Sequence, residues 1–219
     1  MASSAGYGSV VKMQGASNVI TGEATSYLSG SGSTKVYQIT TAAHRVLNPG
    51  VAVVVKDGVS TVASTDYTID YLFGKIRFTA HAVVGAITLD GAWLTMWEIT
   101  TAAGFTLDDG YQLLDTTPFN STGDKTCILG ERDASGTITH FDVGADDYSG
   151  GASVTIKANL ARDYVLVECT PVPSGEIFRA WARFSKESLK SSPDSLAQGS
   201  VSWNLNSRGV GAGCAWSDE

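Results

Sequence analysis

Residues that carry chemistry are scarce in this chain. Its 219 residues include three histidines and three cysteines. His44, His81 and His140 stand far apart, with no second histidine or cysteine at ligand spacing. Each therefore reads as a surface or half-buried strand residue. Cys127, Cys169 and Cys214 form no C-x-x-C pair, so neither a structural zinc site nor a disulfide framework is expected. An odd, dispersed set of thiols fits a chain made in a reducing cytosol. There is no G-x-S-x-G elbow, Walker loop, H-E-x-x-H pair or EF-hand loop. No apolar run reaches the roughly 18 residues of a membrane span. The opening MASSAGYGSVVK lacks the basic-then-apolar order of a secretion signal. The expectation is a chain that neither enters a membrane nor is exported, which leaves the glycosylation pattern Asn120-Ser121-Thr122 idle.

The remaining motifs do not assemble a catalytic site either. Gly209-Val210-Gly211-Ala212-Gly213 has the look of a phosphate loop, but it opens no helix and follows no parallel strand, so it reads as a flexible arm. The doublets Asp108-Asp109 and Asp146-Asp147 raise the paired-carboxylate chemistry of glycosidases. Adjacent residues of a strand point to opposite faces, so neither doublet places both groups at one site, and turn capping explains them better. Trp93, Trp97, Trp181, Trp203 and Trp216 suggest a sugar platform, a subunit contact or a core. Trp93 and Trp97, at even separation, are expected to share one face of a strand. No enzyme activity, cofactor or metal is expected.

What the chain does have is a strand-forming pattern. Hydrophobic residues make up 43% of it, enough for a real core. Val51–Lys56 is β-branched and ends at Asp57-Gly58, a strong hairpin signal. Further strands are predicted at Val36–Thr41, Tyr67–Tyr71, Ile76–Phe78, Ala86–Leu89, Trp93–Thr100, Gly136–Val143, Ser153–Ala158, Tyr164–Thr170, Ile177–Ser185 and Ser200–Asn206. Asn48-Pro49-Gly50, Gly74, Gly85 and Gly91 punctuate the first of these as turns. Turn signals recurring about every 8 to 12 residues point to an all-β sandwich or barrel. Alternation is clearest in Ile177–Ser185, where Phe178, Ala180, Ala182 and Phe184 share one face and Arg179, Trp181 and Arg183 the other. Residues 1–34 and 209–219, rich in Gly and Ser, read as flexible ends that order on assembly.

The formal net charge of -7 is local in origin. Between Asp108 and Asp147 lie Asp108, Asp109, Asp115, Asp124, Glu131, Asp133, Asp142, Asp146 and Asp147 against Lys125 and Arg132 alone, while the flanking stretches balance. These acids read as solvated turn residues or as a surface that does not hold nucleic acid.

Leu114 to Phe141 reads LDTTPFNSTGDKTCILGERDASGTITHF, and Gly199 to Gly209 reads GSVSWNLNSRG. Asp115, Thr117 and Phe119 form a D-x-T-x-F segment, Ile128, Leu129 and Gly130 end an apolar run, and Asp133, Ser135 and Gly136 make a D-x-S-G turn before a strand. This pattern resembles the major tail protein, or tail tube protein, of long-tailed bacteriophages. Asp66–Phe78 is similar to a strand-turn-strand pattern of phage virion proteins. The resemblance implies an all-β fold: a β-sandwich or partly closed barrel of two antiparallel sheets with one short flanking helix, sought at Thr117–Gly130 behind an Asn120 or Ser121 cap, or at Ala158–Asp163.

It further implies hexameric rings stacked into a virion tail tube that conducts DNA, with DNA passing as an ungripped polyanion. Partners would be other copies of the chain and the tape measure, terminator and baseplate proteins, in a particle assembled in the bacterial cytoplasm. The expected organisation is a flexible segment over 1–34, a β-sandwich over 35–208 with a hairpin-rich part at 35–92, and a flexible tail over 209–219. Arg179, Trp181 and Arg183 are the subunit-interface candidates. Asp108, Asp109, Asp142, Asp146 and Asp147 are the candidates for an acidic lumen. The alternative is a capsid decoration or host-surface-binding module, which the five tryptophans and the Gly/Ser-rich start would suit.

Overall fold

The computed structural model describes residues 9–99, 102–115, 127–142, 164–172, 175–192, 195–206 and 213–217. Among them run thirteen strands: β1 (Val10–Ser29), β2 (Val36–Ile39), β3 (Val54–Asp57), β4 (Ser60–Thr61), β5 (Tyr67–Asp70), β6 (Lys75–Phe78), β7 (Ile87–Glu98), β8 (Ala102–Asp115), β9 (Cys127–Asp142), β10 (Val165–Thr170), β11 (Phe178–Ser192), β12 (Ser195–Leu205) and β13 (Cys214–Trp216). All pairings are antiparallel. The main sheet has the order β4-β3-β7-β1-β10-β11-β12-β9-β8, with β13 beside β11, and β1 also carries a smaller sheet, β2-β6-β5. The chain is all-β as expected. The only helical turns among the described residues are 3-10 turns at Ala42–His44 and Ser64–Asp66.

Local chemistry explains the turns. Gly58 takes φ +61° between β3 and β4, a left-handed conformation that glycine adopts without a Cβ clash. In the β5–β6 turn the Asp70 carboxylate accepts from the amides of Leu72 and Phe73 at 2.9 and 3.3 Å, and Gly74 closes the turn at φ +60°.

Several expectations are corrected. The segment read as flexible over 1–34 is, from Val10 to Ser29, the spine of the fold. Val10–Met13 at its start pair with β10, Thr25–Ser29 at its end pair with β2, and β7 runs beside it from Lys12 to Ala24. Register shifts at Gln14/Ser17 and Ile20/Glu23 interrupt its side-chain alternation, so no period of two marks it in the sequence. The tail is likewise tied down at Cys214–Trp216, where β13 pairs with β11. Gly91 does not turn the chain, and β7 passes straight through it. The D-x-S-G motif is no turn either, because Asp133, Ser135 and Gly136 lie inside β9. Of the helix sought at Thr117–Gly130, Cys127–Gly130 is strand. Residues 116–126, the other helix candidate Ala158–Asp163 and the strand expected at Ser153–Ala158 lie outside the described residues.

Three apolar clusters organise the molecule. The first covers one face of β1, β10, β11, β12 and β9 with Met13, Val167, Phe178, Ile138 and Trp203. The second lies between the small sheet and the β3–β7–β1 end, around Ile39, Leu47, Ile76, Phe78 and Leu89. The third sits on the back of the main sheet. There Leu166 of β10 and Trp181 of β11 meet Leu94 of β7 and the loop residues Val46, Leu72 and Phe73. Alternation along β10 makes this possible, sending Val165, Val167 and Cys169 forward and Leu166 and Glu168 back. Both faces of the central strands are therefore covered.

Candidate functional site

Among the described side chains of β8 none is buried, so the β8–β9 end of the main sheet is thinly covered. Strand β9 pairs with β12 only from Ser135 to Asp142, whereas it pairs with β8 from Cys127 to His140. From Cys127 to Ala134, among the described residues, β9 pairs with β8 alone, and the two strands run on as a ribbon. On its outer side β8, 14 residues long, has no partner among the described residues. Apolar side chains on the ribbon stand in solvent: Tyr111 is 52% exposed and Ile128 55%. Gly136 marks where the ribbon leaves the core. A Cβ there would fall 2.2 Å from the Thr106 carbonyl oxygen and 2.8 Å from the Trp203 ring, so the pairing of β8, β9 and β12 at this point requires glycine.

A polar network stiffens the base of the ribbon. The Arg132 guanidinium donates from Nε and Nη2 to the two oxygens of Asp109 at 2.9 and 2.8 Å and lies 5.8 Å from the Tyr111 ring centroid. Trp216 of β13 donates its indole N–H to Asp109 at 3.0 Å. The Arg132 bonds hold the Asp109 carboxyl below the usual aspartate range; partial burial opposes them and the Trp216 bond adds to them. Asp108, its neighbour in the doublet, is exposed, and with Asp109, Gly110, Asp133 and Ser135 it borders a shallow open groove. Of the other lumen candidates, Asp142 closes β9 opposite Ala197, and Asp146 and Asp147 lie outside the described residues.

The interface candidates divide. Arg183 is exposed, but Arg179 is 8% exposed and Trp181 fully buried within the chain itself, so neither is offered to a neighbour. The expected alternation is present, with Phe178, Ala180, Ala182 and Phe184 in one cluster and Trp181 in another. It does not reveal that the second face is covered by residues 46 and 72–73, more than a hundred positions away. Trp203 is also buried, Trp93 packs on His44 with ring centroids 4.6 Å apart, and Trp97 is 48% exposed.

Several contacts centred on carboxylates are not visible in the sequence. Glu168 of β10 lies between Lys12 and Arg179. His44 Nδ1 meets Glu23 at 2.9 Å. His81 Nε2 meets Asp57 at 2.9 Å, and the same carboxylate accepts from the amides of Val84 at 2.8 Å and Gly85 at 2.5 Å. Burial pushes the Asp57 carboxyl up, yet the Val84 amide, His81 and the Gly85 amide together hold it below the usual range. Only the Asp57-Gly58 dipeptide advertised any of this. His140 is fully buried, and neither ring nitrogen is bonded to a described residue. Among the described residues no three His, Cys, Asp or Glu side chains converge as a metal site, and no helix is long and apolar enough to cross a membrane.

Neither known protein families nor curated proteins match the chain. Among solved structures, a chain from the virion of a native gene transfer agent particle is similar over 56% of this chain and 88% of its own length, at 13% identity and a TM-score of 0.43. So loose a likeness carries no argument about the site.

Proposed function

We propose that this chain is a structural virion protein, a subunit of a phage tail tube whose copies join edge to edge into rings that stack and conduct DNA. The observation that carries the reading is the contrast between the two ends of the main sheet. At one end β4 has two residues, the short edge by which folded chains avoid unwanted pairing. At the other, β8 presents a 14-residue edge and a projecting ribbon. A row of backbone N–H and C=O groups of that length, without a partner among the described residues, invites a strand of another copy, and a closed ring removes the edge. The tail tube resemblance of Leu114–Phe141 supports the same reading, and its D-x-S-G segment is where the ribbon leaves the core. The acids bordering the ribbon suit a wall that a polyanion slides past. Tape measure, terminator and baseplate proteins would be the remaining partners. The decoration or adhesin alternative leaned on the tryptophans and the loose start, but Trp181 and Trp203 are buried and Val10–Ser29 is a strand.

Negative-stain electron microscopy of the purified chain, with sedimentation across a concentration series, tests the proposal. Rings or tubes are expected, and a monodisperse monomer at high concentration would overturn it. Ala103 and Gln112 are exposed residues of β8 lying at its two register shifts. Lysine at both positions should block edge pairing and leave a folded monomer.

A further inference from the structure

Three charged side chains distant in sequence meet on the back of the main sheet, beside the turn that closes the β5–β6 hairpin. The register sets Lys12 of β1 opposite Glu168 of β10, and Glu168 opposite Arg179 of β11. Glu168 is 2% exposed and Arg179 8%. One carboxylate oxygen accepts from Lys12 Nζ at 2.8 Å; the other accepts from Arg179 Nε at 2.7 Å and lies 2.7 Å from its Nη2. Arg179 Nη1 donates to the Leu72 carbonyl at 2.5 Å, and the guanidinium lies 4.7 Å from the Phe73 ring centroid. Lys75 Nζ stands 5.7 Å from the same ring, and Glu98, exposed on β7, lies opposite Lys12. Burial pushes the Glu168 carboxyl up, but Arg179 and Lys12 outweigh it and leave it below its ordinary range.

We infer that Lys12, Glu168 and Arg179 form a conformational latch that selects one seating of the 71–74 turn, and with it the small sheet, on the main sheet, rather than adding stability. Attraction between the two parts already comes from Val46, Leu72, Phe73, Leu94, Leu166 and Trp181. Apolar burial is non-directional and does not by itself fix the orientation of the turn on the sheet. The guanidinium is directional. Its planar fork meets the Glu168 carboxylate and the Leu72 carbonyl together in one orientation of the turn. Taking the two charges out of water offsets most of what their attraction contributes, so the net gain lies in specificity. The inference does not depend on the proposed function.

Two variants separate selection from stabilisation. Arg179→Met leaves Glu168 buried beside Lys12 alone, and its thermal midpoint should fall by several degrees or more. Arg179→Met combined with Glu168→Leu removes both buried charges, and its midpoint should return close to the parent's. In that double variant hydrogen exchange at Leu72–Gly74 and tryptic cleavage after Lys75 should nonetheless rise about tenfold or more. Parental protection of the turn in the double variant would overturn the latch. So would a midpoint as low as that of Arg179→Met, which would make the cluster a stabiliser. If the double variant does not fold, Glu168→Gln takes its place: exchange must rise at Leu72–Gly74 and stay unchanged at Val165–Val167, and equal protection of the turn would refute the latch.

Discussion

Single side chains here owe their properties to where the sheet places them. Burial, with Glu168 next in sequence, pushes the Cys169 thiol up to about 12, and Cys214 is 4% exposed, whereas Cys127 stands exposed on the ribbon. A thiol reagent at pH 8 should therefore modify Cys127 rapidly and reach Cys169 and Cys214 only after unfolding, as peptide mass analysis after timed labelling would show. Two protected thiols becoming reactive at the rate of Cys127 in the native protein would contradict this. Asp57 makes a pH prediction. Its carboxyl is held lower in the fold than in the unfolded chain. The unfolded chain thus binds the proton more tightly, and the stability Asp57 contributes is complete above the ordinary aspartate range and lost as pH falls through the folded value. Urea midpoints measured from about pH 6 down to about pH 2 should fall with acid. Asp57→Asn should lower the midpoint at neutral pH and flatten that fall.

Elements, in turn, are set by where two backbones approach. Gly136 stands where β8, β9 and the Trp203 ring crowd together, so Gly136→Ala should destabilise the chain by about 1–3 kcal/mol, because a methyl there must displace the Thr106 carbonyl or the indole. Chemical denaturation would measure it, and a neutral result would mean that the ribbon can shift without cost. The same residue shows what a motif can and cannot say. Asp133-x-Ser135-Gly136 reads as a turn because each residue favours turns, yet the segment pairs with β8 on one side and, from Ser135, with β12 on the other. Tertiary crowding, not turn geometry, demands the glycine. Strand β7 teaches the converse at Gly91, where Val53 lies 3.3 Å from the position of a Cβ and the strand continues unbroken.

At the scale of the whole molecule, charge and edges decide behaviour. The net charge of -7 arises between Asp108 and Asp147, and Asp108, Asp109 and Asp133 of that stretch border the exposed groove. The purified protein should accordingly show no binding to duplex DNA at low salt, where attraction to phosphate would be strongest. Salt-sensitive retardation of DNA under those conditions would argue against a conduit.

Read alone, the sequence determined the all-β class, the hairpin at Asp57-Gly58, the strands expected at Tyr67–Tyr71, Ile76–Phe78 and Tyr164–Thr170 to within a residue at either end, and the alternation of β11, because turn chemistry and a period of two act over a few residues. The long edge of β8 and the network at Asp109 were legible only as an acidic stretch. What the tertiary structure decided is non-local. Strand β1 changes partners along its length, and the face bearing Arg179 and Trp181 is capped by residues 46 and 72–73. Lys12 meets Glu168 across 156 positions, and Arg179 meets Leu72 across 107. A local pattern can say which side chains share a face; whether that face meets water or another part of the chain depends on contacts whose partners the pattern does not contain.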